Sequence, residues 1–177
     1  MNWLDRLWEI LLKLLPRVVT IEPHERGVYV IAGRWRHEVG PGLYPVWSWC
    51  VDMTYESCAP RVVEYQTQSV TTKDNVAIAI DAALAFRILS PLRALYEVDS
   101  YEETLGNALQ GEIEQYINRR TWDDCRDTQR MGEDILPRLR AVCKGWGLSI
   151  RQIYFTTFVR HRAVRVMGIH TSKQEEV

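Results

Sequence analysis

Cysteine and histidine are the residue types here that could carry covalent catalysis, with Cys50 or Cys58 as nucleophile and His24, His37 or His161 as base. Such chemistry needs a base that draws the proton from sulfur and a third group that orients the base. Neither the spacing of these residues nor their local sequence resembles a known nucleophile turn, so a Cys/His hydrolase is the remote reading. Two carboxylate pairs, Glu102-Glu103 and Asp123-Asp124, are the candidates for general acid and base work. Both fall where helices are expected to begin, and an acid in a first turn complements the helix dipole. The four cysteines, Cys50, Cys58, Cys125 and Cys143, show no CxxC pair and no histidine at zinc-ligand spacing. They are expected to be free, buried thiols of a reducing compartment. Gly27, Gly33, Gly40 and Gly42 match neither a P-loop nor a dinucleotide fingerprint. No catalytic, cofactor-binding or metal-ligating residues are therefore expected, and the glycines read as turn positions.

The elements that would position any site follow from pattern. With 177 residues, 46 % of them hydrophobic, the chain can bury one sizeable core. A net charge of -1 excludes a protein that works mainly by binding nucleic acid through a basic surface. Charge is uneven: acids gather over residues 97–134 and bases over 138–165. β-Branched and alternating runs predict short strands at 17–21, 28–31 and 34–38, with Ala32-Gly33 reversing the chain between the last two. Gly40-Pro41-Gly42 breaks it again, and the prolyl, aromatic stretch 43–49 is expected to be irregular. Further strands should cover 51–56 and 61–71. The clearest runs from Val76 to Ile88, where bulky residues alternate with small ones, so both faces should be at least partly covered. Thr72-Lys73-Asp74-Asn75 before it is a hairpin turn.

The period then becomes helical. Ser90-Pro91 starts a short helix, and Ser100 with Glu103 should form a capping box for a longer one through Leu105, Leu109, Ile113 and Ile117. A third helix over 128–144 presents Met131, Ile135, Leu139 and Val142, with a kink or break expected at Pro137. A strand follows over 148–158. Strands, then helices, then a strand argue for an α+β domain.

Ahead of this domain, Trp3, Leu4, Leu7, Trp8, Leu11, Leu12 and Leu15 fall on one stripe at helical spacing, with Asn2, Asp5, Arg6, Glu9 and Lys13 mostly opposite. The segment is interrupted by charges and closed by Pro16, too short to span a bilayer that needs about 20 apolar residues. It would lie in the interface. The same stripe would also serve to pack on the domain or a neighbouring subunit, or to dock into a partner's groove, which makes a soluble adaptor or assembly subunit the alternative reading. Two tryptophans on the stripe favour lipid. Tyr44, Trp47 and Trp49 are candidates for a second contact with the same surface, against burial under the sheet. The expected organisation is an anchoring helix at 1–16, the α+β domain at 17–160, and a basic then polar tail at 161–177.

Glu25-Arg26-Gly27-Val28 with Gly33, then Gly40-Pro41-Gly42-Leu43, then Thr72-Lys73-Asp74-Asn75-Val76 before an alternating strand, and Trp146-Gly147-Leu148 before the last strand occur in this order. That ordered set resembles the SPFH or band 7 family of stomatins, prohibitins and flotillins. The resemblance covers roughly residues 18–158. It implies a strongly twisted, mainly antiparallel sheet with packed helices, and a non-enzymatic scaffold associated with a membrane, peripheral or monotopic, on the cytoplasmic side. It implies as partners a lipid bilayer surface, further copies of the chain in a lateral homo-oligomer, and a membrane protein or protease, with no nucleic acid and no cofactor. Family members commonly continue into a long coiled coil, which this sequence does not show before Val177. Oligomer contacts are therefore expected from strand edges, the helix around Pro137, and opposite charge between the acidic and basic spans of neighbours.

Overall fold

The computed structural model describes residues 15–160; the 1–14 stretch of the apolar stripe, His161 and the tail lie outside the described residues. Within them the α+β expectation is met by eight strands and four helices, with every strand pairing antiparallel and the strands divided among three small sheets.

The body is built on β6 (Arg61–Thr71), β7 (Ala77–Ile88) and β8 (Leu148–Arg160), with β7 in the centre. One face of β7, from Ile78 through Ile80, Ala82, Leu84 and Phe86 to Ile88, is fully buried. Two helices cover it, α2 (Tyr101–Asn118) through Leu105, Leu109, Ile113 and Ile117, and α4 (Thr128–Val142) through Met131, Ile135 and Leu139. Each such side chain contributes roughly 1.5–3 kcal/mol relative to exposure. The alanine face is half-buried, apart from Ala83, which is buried. A short α1 (Pro91–Tyr96) and a one-turn α3 (Trp122–Cys125) complete the body.

Four sequence expectations change. Ser100 does not cap α2: its φ of 45° turns the chain left-handed, and the Thr104 hydroxyl bonds the Asp99 carbonyl instead. Acids cap the next two helices: Asp124 of α3 accepts from the Thr121 N–H at 3.4 Å, and Asp127 before α4 accepts from the Arg130 N–H at 3.0 Å. Pro137 does not break α4, which runs unbroken through it. Pro137 is exposed, the carbonyl it leaves unbonded belongs to exposed Glu133, and the buried face offsets a cost of about 3 kcal/mol. Val142 is 47 % exposed; the buried row continues by steps of four to Cys143. Residues 42–46 form a strand, as described next.

The second half of the domain is a lobe of two thin sheets. β2 (Glu25–Ile31) pairs with β3 (Trp35–Val39) and β5 (Val51–Ser57). β1 (Arg17–Ile21) pairs with β4 (Gly42–Val46) as a separate ribbon. Pro45, which argued against a strand, is tolerated because a two-stranded ribbon leaves each strand an edge that needs no N–H donor. The ribbon lies over one face of the three-stranded sheet, where a Cβ on Gly27 would meet Ile21 Cδ1 at 2.8 Å, and Tyr29 donates to the Pro45 carbonyl at 2.6 Å.

Lobe and body are joined at two places. Arg61 Nη2 donates to the Tyr101 hydroxyl and sits 3.2 Å from Glu102 Oε1, while Tyr101 donates to Glu56 at 3.5 Å. On the other side Ser90, free of any capping bond, donates to Glu38 at 3.1 Å, and the Arg36 guanidinium lies 4.6 Å over the Tyr96 ring.

The β6–β7 turn is tied to the helices. Thr72 is buried; its hydroxyl donates to Asp74, whose carboxylate accepts from the Trp122 N–H at 3.1 Å. The hydroxyl bond holds the Asp74 pKa below the usual 3.8, helped by the backbone donors. The folded state therefore binds that proton less readily than the unfolded chain. Stability from Asp74 is complete above the ordinary carboxylate pKa and lost as pH falls through the depressed value. The gap in urea midpoint between the parent and Asp74→Asn should be widest at neutral pH and close as pH is taken to about 2; a gap independent of pH would contradict this role. A second test concerns Gly106 of α2, where a Cβ would fall on the Tyr65 ring at 2.4 Å from Cε1. Gly106→Val should cost about 1–3 kcal/mol in urea unfolding, and Tyr65→Ala in the same chain should recover part of that loss.

Candidate membrane interface

The register of the lobe brings three separate segments to one end. Arg17, at the start of β1, pairs with Val46, the last residue of β4. The loop 47–50 then turns directly into β5, with the Trp47 carbonyl accepting from the N–H of Cys50 at 3.0 Å and of Val51 at 2.8 Å. Ile31, at the end of β2, pairs with both Val51 and Trp35. The tip of the β2–β3 hairpin is locked onto this loop by the Ala32 N–H, which donates to the Cys50 carbonyl at 2.7 Å. The reversal at the tip uses positive φ at Ala32 (51°) and Gly33 (66°), and the latter is open to glycine without cost.

What gathers there is apolar and exposed. Leu15 is 64 % exposed, Trp49 69 % and Trp35 57 %. The outer face of the ribbon continues the surface, with Val18 opposite Pro45 and Thr20 opposite Leu43, all exposed. Trp47 is half-buried. Tyr44 lies mid-ribbon on the other face, opposite Val19, half-buried and donating to the Gly40 carbonyl at 3.0 Å. Of the candidate aromatic residues the fold thus brings Trp47 and Trp49 to the end of the lobe where Leu15 stands, and Trp49 is exposed rather than under the sheet. Trp3, Leu4, Leu7, Trp8, Leu11 and Leu12 lie outside the described residues. Trp35 is the residue that sequence reasoning missed; its signal was present in the Ala32-Gly33 turn, which places it at a hairpin tip.

The opposite end of the lobe holds the Cys/His candidate. The Cys58 N–H donates to the His24 carbonyl at 2.8 Å, and both residues line an open concavity of about 350 Å³. Their side chains are engaged elsewhere: the thiol faces the Glu56 carbonyl at 3.9 Å, and His24 Nδ1 lies 3.5 Å from Glu22. Burial, reinforced by Glu38 and Glu56 against the pull of Arg26, raises the Cys58 pKa and keeps it a thiol. A protonated sulfur without a hydrogen-bonded base is not an activated nucleophile. Cys50 stands at the far end of β5 from Cys58, and His37 is exposed on β3. Cys125 and Cys143 are buried, Cys50 and Cys58 half-buried, and all four are free; burial lifts Cys143 to about 12. The carboxylate pairs stand in the first turns of α2 and α3, as expected of helix starts. Among the described residues no three His, Cys, Asp or Glu side chains gather as a metal site, and no helix is long and apolar enough to cross a membrane.

The chain is similar to an uncharacterized protein of Archaeoglobus fulgidus, 24 % identical over 85 % of this chain and 61 % of that one. A stomatin homologue of Pyrococcus horikoshii is 22 % identical over 81 % of the chain and 54 % of its own length. Stomatin-1 of Caenorhabditis elegans is 21 % identical over 75 % and 41 % respectively. The chain thus spans about two fifths to three fifths of these relatives. A family model described as SPFH domain / Band 7 family matches residues 19–164, the whole of the lobe and body apart from the first two residues of β1. With the ordered turn motifs, the antiparallel α+β architecture and this match in agreement, the chain belongs to the SPFH/band 7 family.

Proposed function

We propose that this protein is a non-enzymatic scaffold held on the cytoplasmic face of a bilayer by residues 1–16, with Trp47, Trp49 and the outer face of the β1–β4 ribbon as a second contact, and that its copies assemble laterally there. Membership of the SPFH/band 7 family supports membrane association and oligomers in general. One observation carries the particular reading: Leu15, where the described chain begins, stands at the same end as exposed Trp49 and Trp35. A helix preceding Leu15 and lying in the interface would bring that end to the headgroup level, where tryptophan is favoured. Monomeric soluble proteins rarely leave a contiguous apolar patch uncovered without a binding use for it.

Flotation of the full chain with liposomes tests the anchor. Trp3→Glu with Trp8→Glu should abolish flotation with the far-UV spectrum unchanged, because each carboxylate must be desolvated on the apolar face. Trp49→Glu alone should weaken binding by roughly tenfold, since it removes one interfacial ring. A double variant that floats like the parent would remove the anchor, and a parent that ignores liposomes yet binds a protein groove would favour the adaptor.

For assembly, the outer edges of β6 and β8 flank the central strand and offer pairing surfaces. Anchoring raises the effective concentration of copies. Cross-linking should yield little beyond monomer in solution and a ladder on liposomes that shrinks at about 1 M salt, where screening reaches about 3 Å. A strict monomer on the membrane at low salt would contradict lateral assembly.

A further inference from the structure

The charges of the lobe are sorted by end. At the end that carries Leu15, Trp35 and Trp49 stand Arg17, Arg34 and Arg36 against a single acid, Asp52. At the other end stand Glu22, Glu25, Glu38 and Glu56 against a single cation, Arg26. The acids of that far end are tied inward: Glu38 to Arg26 at 3.8 Å and to Ser90, Glu56 to Tyr101. Arg36 is also tied, stacked over Tyr96. Arg17 has no such contact with a described residue, and Arg34 lies only over the ring of its own neighbour, Trp35. Both are exposed, and neither forms an ion pair with a described residue. Arg17 follows the chain's entry at Leu15, and Arg34 sits on the hairpin tip with its guanidinium 5.8 Å from the centre of the Trp35 ring. A guanidinium beside an indole, at a tip that also exposes the ring, matches an interface where the ring meets acyl chain and headgroup while the cation meets phosphate.

We infer that this end of the lobe recognises anionic lipid headgroups, with Arg17 and Arg34 as the cations that contact phosphate and Trp35 as an inserted ring beside Arg34. The inference rests on the membrane reading above and adds its lipid selectivity. Sequence order hides it, because the anchor stretch itself carries just Arg6 and Lys13 against Asp5 and Glu9. The fold supplies the missing cations from positions 17 and 34. The acids at the far end reinforce the effect, since a surface of one sign orients a lobe whose two ends differ in charge. An anionic leaflet attracts each cation held within a Debye length of it.

The test uses the full chain with vesicles of phosphatidylcholine alone and of phosphatidylcholine mixed with phosphatidylserine, at about 0.05 and 0.5 M salt. The parent should bind the mixed vesicles more tightly at low salt and lose the difference at high salt. Arg17→Gln with Arg34→Gln should reduce binding to the mixed vesicles by about fivefold per arginine and leave binding to phosphatidylcholine unchanged. Arg119→Gln with Arg126→Gln makes the same change of net charge at exposed positions of the body and should leave the preference intact. Equal binding to both vesicles, a preference that survives in the Arg17/Arg34 variant, or an equal loss in the two double variants would overturn lipid selectivity while the membrane reading stands. No binding to either vesicle would remove both. An Arg17/Arg34 variant with an altered unfolding midpoint is replaced by the lysine pair, which keeps charge and should keep the preference.

Discussion

Burial of the bulky face of β7 is the constraint on which the other elements depend. Its alternation commits Ile78, Ile80, Leu84, Phe86 and Ile88 to one side, and that side has to be roofed. The roof is α2 and α4, whose own rows of buried residues complete the same core. With the helices on that side, β6 and β8 are left as the two edges of the sheet. The start of β6 follows the end of β5 after three residues, so the lobe hangs from the corner where Arg61, Tyr101 and Glu56 meet. The lobe's orientation is thus inherited from the body's core rather than from a large interface of its own.

The lobe follows a different economy. Its three-stranded sheet is covered by the ribbon on one face and approached by α1 on the other, which satisfies its faces but not its ends. Strand ends are where turns must place their side chains, and a tryptophan there adds little to either core. An isolated exposed aromatic would need no explanation. Trp35 opens β3 and Trp49 lies in the loop before β5, and they share one end with Leu15 through two independent registers. That concurrence, with two exposed arginines beside it that form no ion pair with a described residue, is hard to derive from folding requirements alone.

Much of this was legible in the sequence. The alternation of 76–88 and the rows at 105–117 and 131–139 named the core because burial on one face leaves a period in the residues themselves. The turn at 72–75 and the reversal at 32–33 were legible for the same reason, since backbone conformation selects residue type. What was not legible depends on partners. Pro45 made 43–49 look irregular, and without β4 there was no pairing to bring Leu15 next to Trp47 or the hairpin tip to either. Ser100 carries the residue type of a cap, yet its left-handed backbone leaves its hydroxyl without a capping bond, and the Asp99 carbonyl accepts from the Thr104 hydroxyl instead. Pro137 shows the reverse, a local penalty outweighed by the buried face of its helix.

The same reasoning separates the surface reading from a catalytic one. A reaction requires groups that converge on a point, and among the described residues the groups suited to chemistry diverge: Cys58 is kept protonated and turned to a carbonyl, His24 is paired with Glu22, and the carboxylate pairs serve helix starts. Contact with a bilayer requires the opposite arrangement, side chains from several strands ending at a common level. Antiparallel strands provide this without a pocket, because register fixes which residues finish together. In this lobe the residues that finish together are a leucine, two exposed tryptophans and two exposed arginines with no ion pair to a described residue, the composition that the proposed plane of headgroups over hydrocarbon would select.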